Sequence, residues 1–176
     1  MYKRQVGDWS YKGPATGFSN DDYYNTLGLC LEMETLVQRH SDIMDRFDPE
    51  VTKGLMVDEW GTWWEVEPGT NPGHLFQQNT MRDAIVAALT LNIFHEHAAR
   101  VHMANIAQIA NVLQAMVLTQ GPEMVLTPTY YVFKMYVPHQ DARLVPLAVT
   151  TDTRFVEGRK AVPEISATCS EKDGVY

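Results

Sequence analysis

The stretch Gly54-Leu55-Met56-Val57-Asp58-Glu59-Trp60-Gly61-Thr62-Trp63-Trp64 decides how this chain is read. A short apolar run stops at two adjacent carboxylates, and aromatic residues follow at once. Such a run predicts a buried strand over Gly54–Trp60. Acids at the C-terminal end of a strand, followed by a loop, are where an α/β barrel keeps its chemistry. Tryptophans beside a carboxylate suit a sugar, because the ring's C–H face packs on an indole. Glu59 is therefore a candidate carbohydrate-cleaving carboxylate. The bland alternative is a solvated strand end with packed tryptophans, since most acidic loop starts are only solvated.

On the N-terminal side, Asp21–Phe47 reads as one long helix, with Ser19 and Asp22 as a capping box. Cys30, Met33, Val37, His40, Met44 and Phe47 form its apolar stripe, and Asp48-Pro49 ends it. On the C-terminal side, Glu65–Gln78 is a loop with Pro-Gly turns, long enough to suggest function. Thr80 with Asp83 opens a second helix reaching about His97, with Met81, Ala84, Ile85, Ala88 and Leu91 on its apolar face. Val101–Gln108 reads as another buried strand. Ile109–Leu118 has no clear period, Gly121-Pro122 is a break, and Met124–Leu126 is extended. Thr127-Pro128 starts a third helix, ending near Pro138, whose aromatic residues read as core. Helix, strand, helix, strand, helix implies a parallel sheet with crossover helices, as a barrel or an open sheet. No glycine-rich phosphate loop follows either strand, which argues against a nucleotide cofactor. After Asp141 the texture changes to short strand-like pieces, Leu144–Val149 and Val162–Thr168, and a domain boundary is expected there.

Composition limits the function further. The 176 residues are 45% hydrophobic and 20% charged, enough for an ordinary globular core. A formal net charge of -8 leaves no basic field for nucleic acid. No stretch is long and apolar enough to span a membrane. The basic start, Met1–Gln5, lacks the apolar segment of a signal peptide. Cys30 and Cys169 match no metal or redox spacing, which suits a reducing, cytoplasmic setting. His95 and His97 lie at i and i+2, on different sides of a helix, so no metal is expected there. Gly7–Asn20 reads as loop, and Asp173-Gly174 as a hairpin turn just before the last residues. Both ends read as those of a piece of something longer.

From Tyr23 to Gln140 the chain resembles the α-L-arabinofuranosidases of glycoside hydrolase family 51. The resemblance rests on Gly54–Trp63, on Glu67-Pro68-Gly69-Thr70-Asn71-Pro72-Gly73 and on Gln77–Ala84. Asn105–Gln114, Leu126–Tyr130 and Val137-Pro138-His139-Gln140-Asp141 complete it. It implies an α/β fold: part of a (β/α)8 TIM barrel, its last two strand–helix units over residues 1–140, then the start of a β-sandwich over 141–176. Asp21–Phe47 would be the sixth barrel helix, and the two strands the seventh and eighth.

The resemblance also implies a retaining, two-carboxylate mechanism, with the carboxylates about 5 Å apart. Glu59 matches the nucleophile, Trp63 a tryptophan bordering the sugar, and Gln108 a glutamine that hydrogen-bonds the arabinose. Trp60 and Asp58 are expected to support Glu59, Asp58 pointing to the opposite side of the strand. The implied partner is an arabinose-containing oligosaccharide such as a piece of arabinan or arabinoxylan, with no cofactor and no metal. Homo-oligomers, often hexamers, are the family's habit. Two departures stand out. The family's acid/base is a glutamate after an asparagine, and no Asn-Glu pair occurs in this sequence. The histidine–tyrosine segment of the sixth strand is also missing; Val6-Gly7-Asp8-Trp9 stands where it should end. The chain alone is therefore expected to be inactive, a truncated carbohydrate-binding or inert piece.

Overall fold

The computed structural model describes residues 12–176 in full and residues 2–6 as backbone. A sheet of three parallel strands organises the fold, in the order β1 (Tyr2–Val6), β2 (Leu55–Thr62), β3 (Val101–Ile106). The parallel sheet and crossover helices follow the expected order, but there is one more strand than expected. Tyr2–Val6 pairs alongside β2, although nothing in its sequence marked it as a strand. The expectation for Gly7–Tyr11 lies outside the described residues. β2 also runs two residues further than expected, to Thr62, and β3 stops two residues earlier, at Ile106.

Between β1 and β2 come α1 (Asn20–Cys30) and α2 (Glu32–Phe47), which the periodicity had merged into one helix. The interruption at Leu31 is slight, since its backbone remains near helical values. Ser19 and Asp22 do form the expected capping box. The stripe holds only at its start: Cys30, Met33 and Val37 are buried, while Phe47 is 85% exposed in the last turn. Arg100, at the start of β3, anchors that turn through Asp45 and Asp48, and donates to the Lys53 carbonyl at 2.8 Å.

The crossover between β2 and β3 is α3 (Met81–Glu96), capped by Thr80 and Asp83 as expected. It is buried nearly all round rather than along one stripe, and Met81, expected on the apolar face, is exposed. A helix enclosed in this way carries apolar residues on every side, which blurs its 3.6-residue period. The main core lies between the sheet and α2, α3 and α4 (Pro128–Tyr136), built on Val57, Trp60, Phe94 and Val132. Trp60 is fully buried there, edge-on to Phe94 at 5.5 Å and stacked on Phe133 at 6.0 Å. Trp60, expected to support Glu59, is thus part of the main core. Tyr131 on α4, expected in the core, is exposed, and so is Met135.

The untyped segment after β3 is an irregular loop leading into an antiparallel hairpin, β4 (Val117–Gln120) and β5 (Glu123–Leu126), turning at Gly121-Pro122. Beyond Asp141 the strands are short: β6 (Arg143–Val145) pairs with β9 (Cys169–Glu171), and β7 (Thr153–Arg154) with β8 (Val162–Pro163). Ile165–Thr168, expected in a strand, lies outside them, whereas Asp173-Gly174 does turn the chain, with both residues at positive φ. This segment packs on α1 and α3 through Val162, which shares a core cluster with Leu27, Cys30, Val86 and Leu89. Burial pushes the Cys30 thiol up to about 11, so it stays protonated and acts as a small core residue.

The two histidines near the end of α3 have separate partners. His97 bonds Glu34 at 2.8 Å, while His95 packs against His139 and Tyr136. His139 Nδ1 in turn lies 2.6 Å from Ser170 Oγ, around a cavity of about 40 Å³. Burial, and then the nearby His139, hold His95 below its ordinary pKa. The fold thus favours neutral His95, and that stability is complete above the unfolded value and lost as pH falls through the folded one. We expect the melting temperature to drop between pH 7 and 5 more steeply in the parent chain than in His95→Phe. Matching slopes in thermal melts across that range would refute this role for His95.

Candidate active site

The strand irregularity at Asp58-Glu59 sets the geometry of the candidate site. From Val57 to Trp60, β2 takes three steps while β3 takes two, from Ala104 to Ile106. Against β1, Val57 to Glu59 is matched by the single step from Tyr2 to Lys3. β2 therefore carries one extra residue here, a β-bulge of the kind that re-aims side chains near active sites. The bulge explains why Val57 and Trp60, three apart, both reach the helix-side core, where strict alternation would send them to opposite faces. It also removes the simple alternation expected of Asp58 and Glu59, both of which are half-buried.

Trp63 follows directly after β2 and is half-buried, with Lys12 Nζ 4.4 Å from its ring centre. Gln108 lies past the end of β3 rather than in it, and is exposed. Its backbone is held, as its N–H donates to Val112 at 3.3 Å and its carbonyl accepts from Met116 at 3.3 Å. The parallel register thus sets Trp63 and Gln108 just past the C-terminal ends of neighbouring strands, with the bulge inside β2, three residues before its end. The edges touch at Gly61, whose φ is +137°. A Cβ there would lie 3.1 Å from Gln114 Oε1 and 3.3 Å from the Ile106 side chain.

Beneath this edge runs a buried polar network that the sequence reading did not single out. Asp83, fully buried in the first turn of α3, accepts from Thr62 Oγ1 at 2.6 Å and Trp64 Nε1 at 2.8 Å. Its other oxygen caps the helix, accepting from Thr80 N at 2.7 Å. Gln77 Oε1 accepts from Trp64 N at 2.8 Å, and Gln114 Oε1 from Thr62 N at 2.9 Å. Gln114 Nε2 then donates to the Asp83 carbonyl at 2.7 Å and to Thr129 Oγ1 at 3.1 Å. Both neighbours of Trp63 are therefore pinned to one carboxylate. The only sequence signal was the Thr80–Asp83 capping box; the long-range bonds to Thr62 and Trp64 have no local signature.

Arg82, also buried, is sandwiched between Trp64 at 3.6 Å and Phe18 at 3.7 Å, and donates to the Pro14 carbonyl at 2.8 Å. Burial lowers its pKa to about 10, so it stays charged at neutral pH. A desolvated cation between two aromatic faces is worth about 2 kcal/mol or more.

Two outcomes follow for this edge. Asp83→Ala leaves several buried donors unpaired, at roughly 1–3 kcal/mol each, so a loss of about 3–5 kcal/mol is expected in chemical denaturation. Gly61→Ala should also destabilise, because its φ is unfavourable for any side chain and its neighbours are close. Unchanged denaturation midpoints would show that the edge relaxes without cost.

The comparisons with known proteins agree on one family. A family model described as the α-L-arabinofuranosidase C-terminal domain matches residues 58–172. An intracellular exo-α-L-arabinofuranosidase from Bacteroides ovatus is 56% identical over 172 residues, covering 97% of this chain and 34% of its own length. The crystal structure of the GH51 arabinofuranosidase from Xanthomonas axonopodis pv. citri superposes with a TM-score of 0.93 at 46% identity, over 99% of this chain and 36% of that one. An α-L-arabinofuranosidase from Thermotoga maritima, solved as an arabinose complex, gives 0.63 at 25% identity, over 77% of this chain and 27% of that one. The chain spans about a third of the length of the Bacteroides relative.

Proposed function

Because the chain belongs to the family of the α-L-arabinofuranosidase C-terminal domain, we propose that it forms the C-terminal part of a retaining glycoside hydrolase. That enzyme removes terminal non-reducing α-L-arabinofuranosyl residues from arabinan or arabinoxylan oligosaccharides. Glu59 is the nucleophile: its carboxylate attacks the anomeric carbon and forms a glycosyl-enzyme. A second carboxylate protonates the leaving oxygen and then activates the water that releases arabinose. This sequence has no Asn-Glu pair, so the acid/base comes from a part of the enzyme outside it. Trp63 borders the sugar and Gln108 hydrogen-bonds it.

The observation that carries this reading is the bulge at Asp58-Glu59, three residues before the C-terminal end of a parallel strand, in a chain of this family. The same reading makes residues 1–140 part of a (β/α)8 barrel and residues 141–176 the start of a β-sandwich. The register pair Met56 and Met103 supports the barrel: both are more than 40% exposed, as expected of side chains that further strands would enclose. A hexamer and a cytoplasmic location belong to the same proposal. The Bacteroides relative is named intracellular, and among the described residues no helix is long and apolar enough to cross a membrane.

The test uses an enzyme of full family length carrying this chain. Glu59→Ala should lower kcat on an aryl α-L-arabinofuranoside by at least about 10³-fold with the melting temperature retained. Turnover equal to the parent's would remove Glu59 from the chemistry. The missing Asn-Glu pair favours a second reading for the chain by itself, as a carbohydrate-binding or inert piece. Calorimetric titration of the 176 residues with arabino-oligosaccharides separates those two.

A further inference from the structure

Gln114 stands where the ladder between β2 and β3 should continue. Ala107 N donates to the Trp60 carbonyl at 2.9 Å. Bonds in a parallel pair are evenly spaced, so the next one would run from Thr62 N to the Ala107 carbonyl. Gln114 engages both of those groups instead. Its main-chain N donates to the Ala107 carbonyl at 2.9 Å, and its side-chain Oε1 accepts from Thr62 N at 2.9 Å. Trp63 follows Thr62 directly, and Gln108 follows Ala107 directly. One residue therefore grips the position before each of the two proposed sugar contacts.

An amide side chain suits this position because it needs an acceptor and a donor together. Gln114 is fully buried, and its Nε2 donates to the Asp83 carbonyl at 2.7 Å and to Thr129 Oγ1 at 3.1 Å. With a donor on one side and acceptors on the other, only one orientation of the amide fits. A glutamate would set an oxygen against the Asp83 carbonyl, and a methionine would leave Thr62 N without a partner. Space is short as well: a Cβ at Gly61 would lie 3.1 Å from Gln114 Oε1.

The backbone is strained to bring Gln114 here. Leu113, immediately before it, is buried and has a φ of +52°. A bulky residue in the left-handed region is unfavourable and persists only where its surroundings hold it. The bonds that hold it are Leu113 N to the Leu75 carbonyl at 2.9 Å and Thr127 Oγ1 to the Ala115 carbonyl at 2.7 Å. Strain of this kind concentrates at sites whose geometry matters to function.

We propose that Gln114 is a positioning residue for the sugar site: inserted as a rung between the ends of β2 and β3, it sets the separation of Trp63 and Gln108. The proposal rests on the reading of those two residues as sugar contacts. Gln114, being fully buried, acts only through them. A sugar that contacts both depends on their separation, and a misplacement of about 1 Å can lower a rate by about 100-fold.

The experiment uses the enzyme of full family length. For a nitrophenyl α-L-arabinofuranoside, kcat/KM is measured with and without Gln114→Met, in the parent and in a background carrying both Trp63→Ala and Gln108→Ala. Val86→Ala, in the second core cluster, is the control for general destabilisation. We expect Gln114→Met to lower kcat/KM about 10-fold in the parent and less than about two-fold in the background, because residues that act through one another are not additive. Equal losses in both, or the same loss in Val86→Ala, overturn the proposal. If Gln114→Met fails to fold, Thr129→Val, which removes one acceptor from Nε2, enters the same cycle with an expected loss of about three-fold. A second readout needs no turnover. With fluorotryptophan incorporated, the fluorine NMR resonance that disappears in Trp63→Phe should shift in Gln114→Met and stay in place in Val86→Ala. A resonance unmoved by Gln114→Met overturns the proposal. If the background turns over like the parent, the sugar-site reading falls, while the resonance still decides whether Gln114 places Trp63.

Discussion

Asp83 is the constraint on which the rest of the structure depends. One buried carboxylate caps α3 through Thr80 and receives the side chains of Thr62 and Trp64 from the end of β2. Through its carbonyl it also holds Gln114, which reaches back to Thr62 N. Three elements that are far apart in the chain thus meet at one residue. A buried carboxylate without those donors would be costly, and donors without the carboxylate nearly as much, so the arrangement is kept or lost as a unit. The consequence for the candidate site is positional: Trp63 lies between two residues that cannot move independently of α3.

Above this network, the bulge and the parallel register do the rest. The extra residue in β2 lets Val57 and Trp60 share the helix-side core while Asp58-Glu59 occupies the irregularity itself. Gly61 then allows β2 to run close past Ile106 and Ala107, just before Gln108. The loops that leave both strands are tied to each other at Leu113 and Leu75. Apolar packing, polar clamping and loop placement act at the same edge.

Much of the fold was legible along the chain because it rests on local rules. Ser19–Asp22, Thr80–Asp83 and Thr127-Pro128 each satisfy orphan helix donors with residues three apart or adjacent, and all three caps form as read. Asp173-Gly174 turns because both positions tolerate positive φ. The failures share a different cause. Phe47 and Met81 were placed on apolar faces by helical spacing, yet both are exposed, because spacing says which residues share a face and not whether anything covers it. Tyr2–Val6 has no apolar run, and it is a strand only because β2 offers an edge.

For the site, the sequence by itself determined which chemical groups are present and where they lie along the chain: a carboxylate in an apolar strand, a tryptophan four residues on, a glutamine near the next strand end. The family, too, was readable from its ordered motifs. What only the tertiary structure decided was how those groups are held. The bulge is defined by pairing with two other strands, so one strand's sequence cannot reveal it. The bonds of Asp83, Gln77 and Gln114 join residues 13 to 52 positions apart, and no local pattern encodes such partners. Local propensity acts over a few residues, whereas burial and long-range hydrogen bonding exist only once the chain has brought distant segments together.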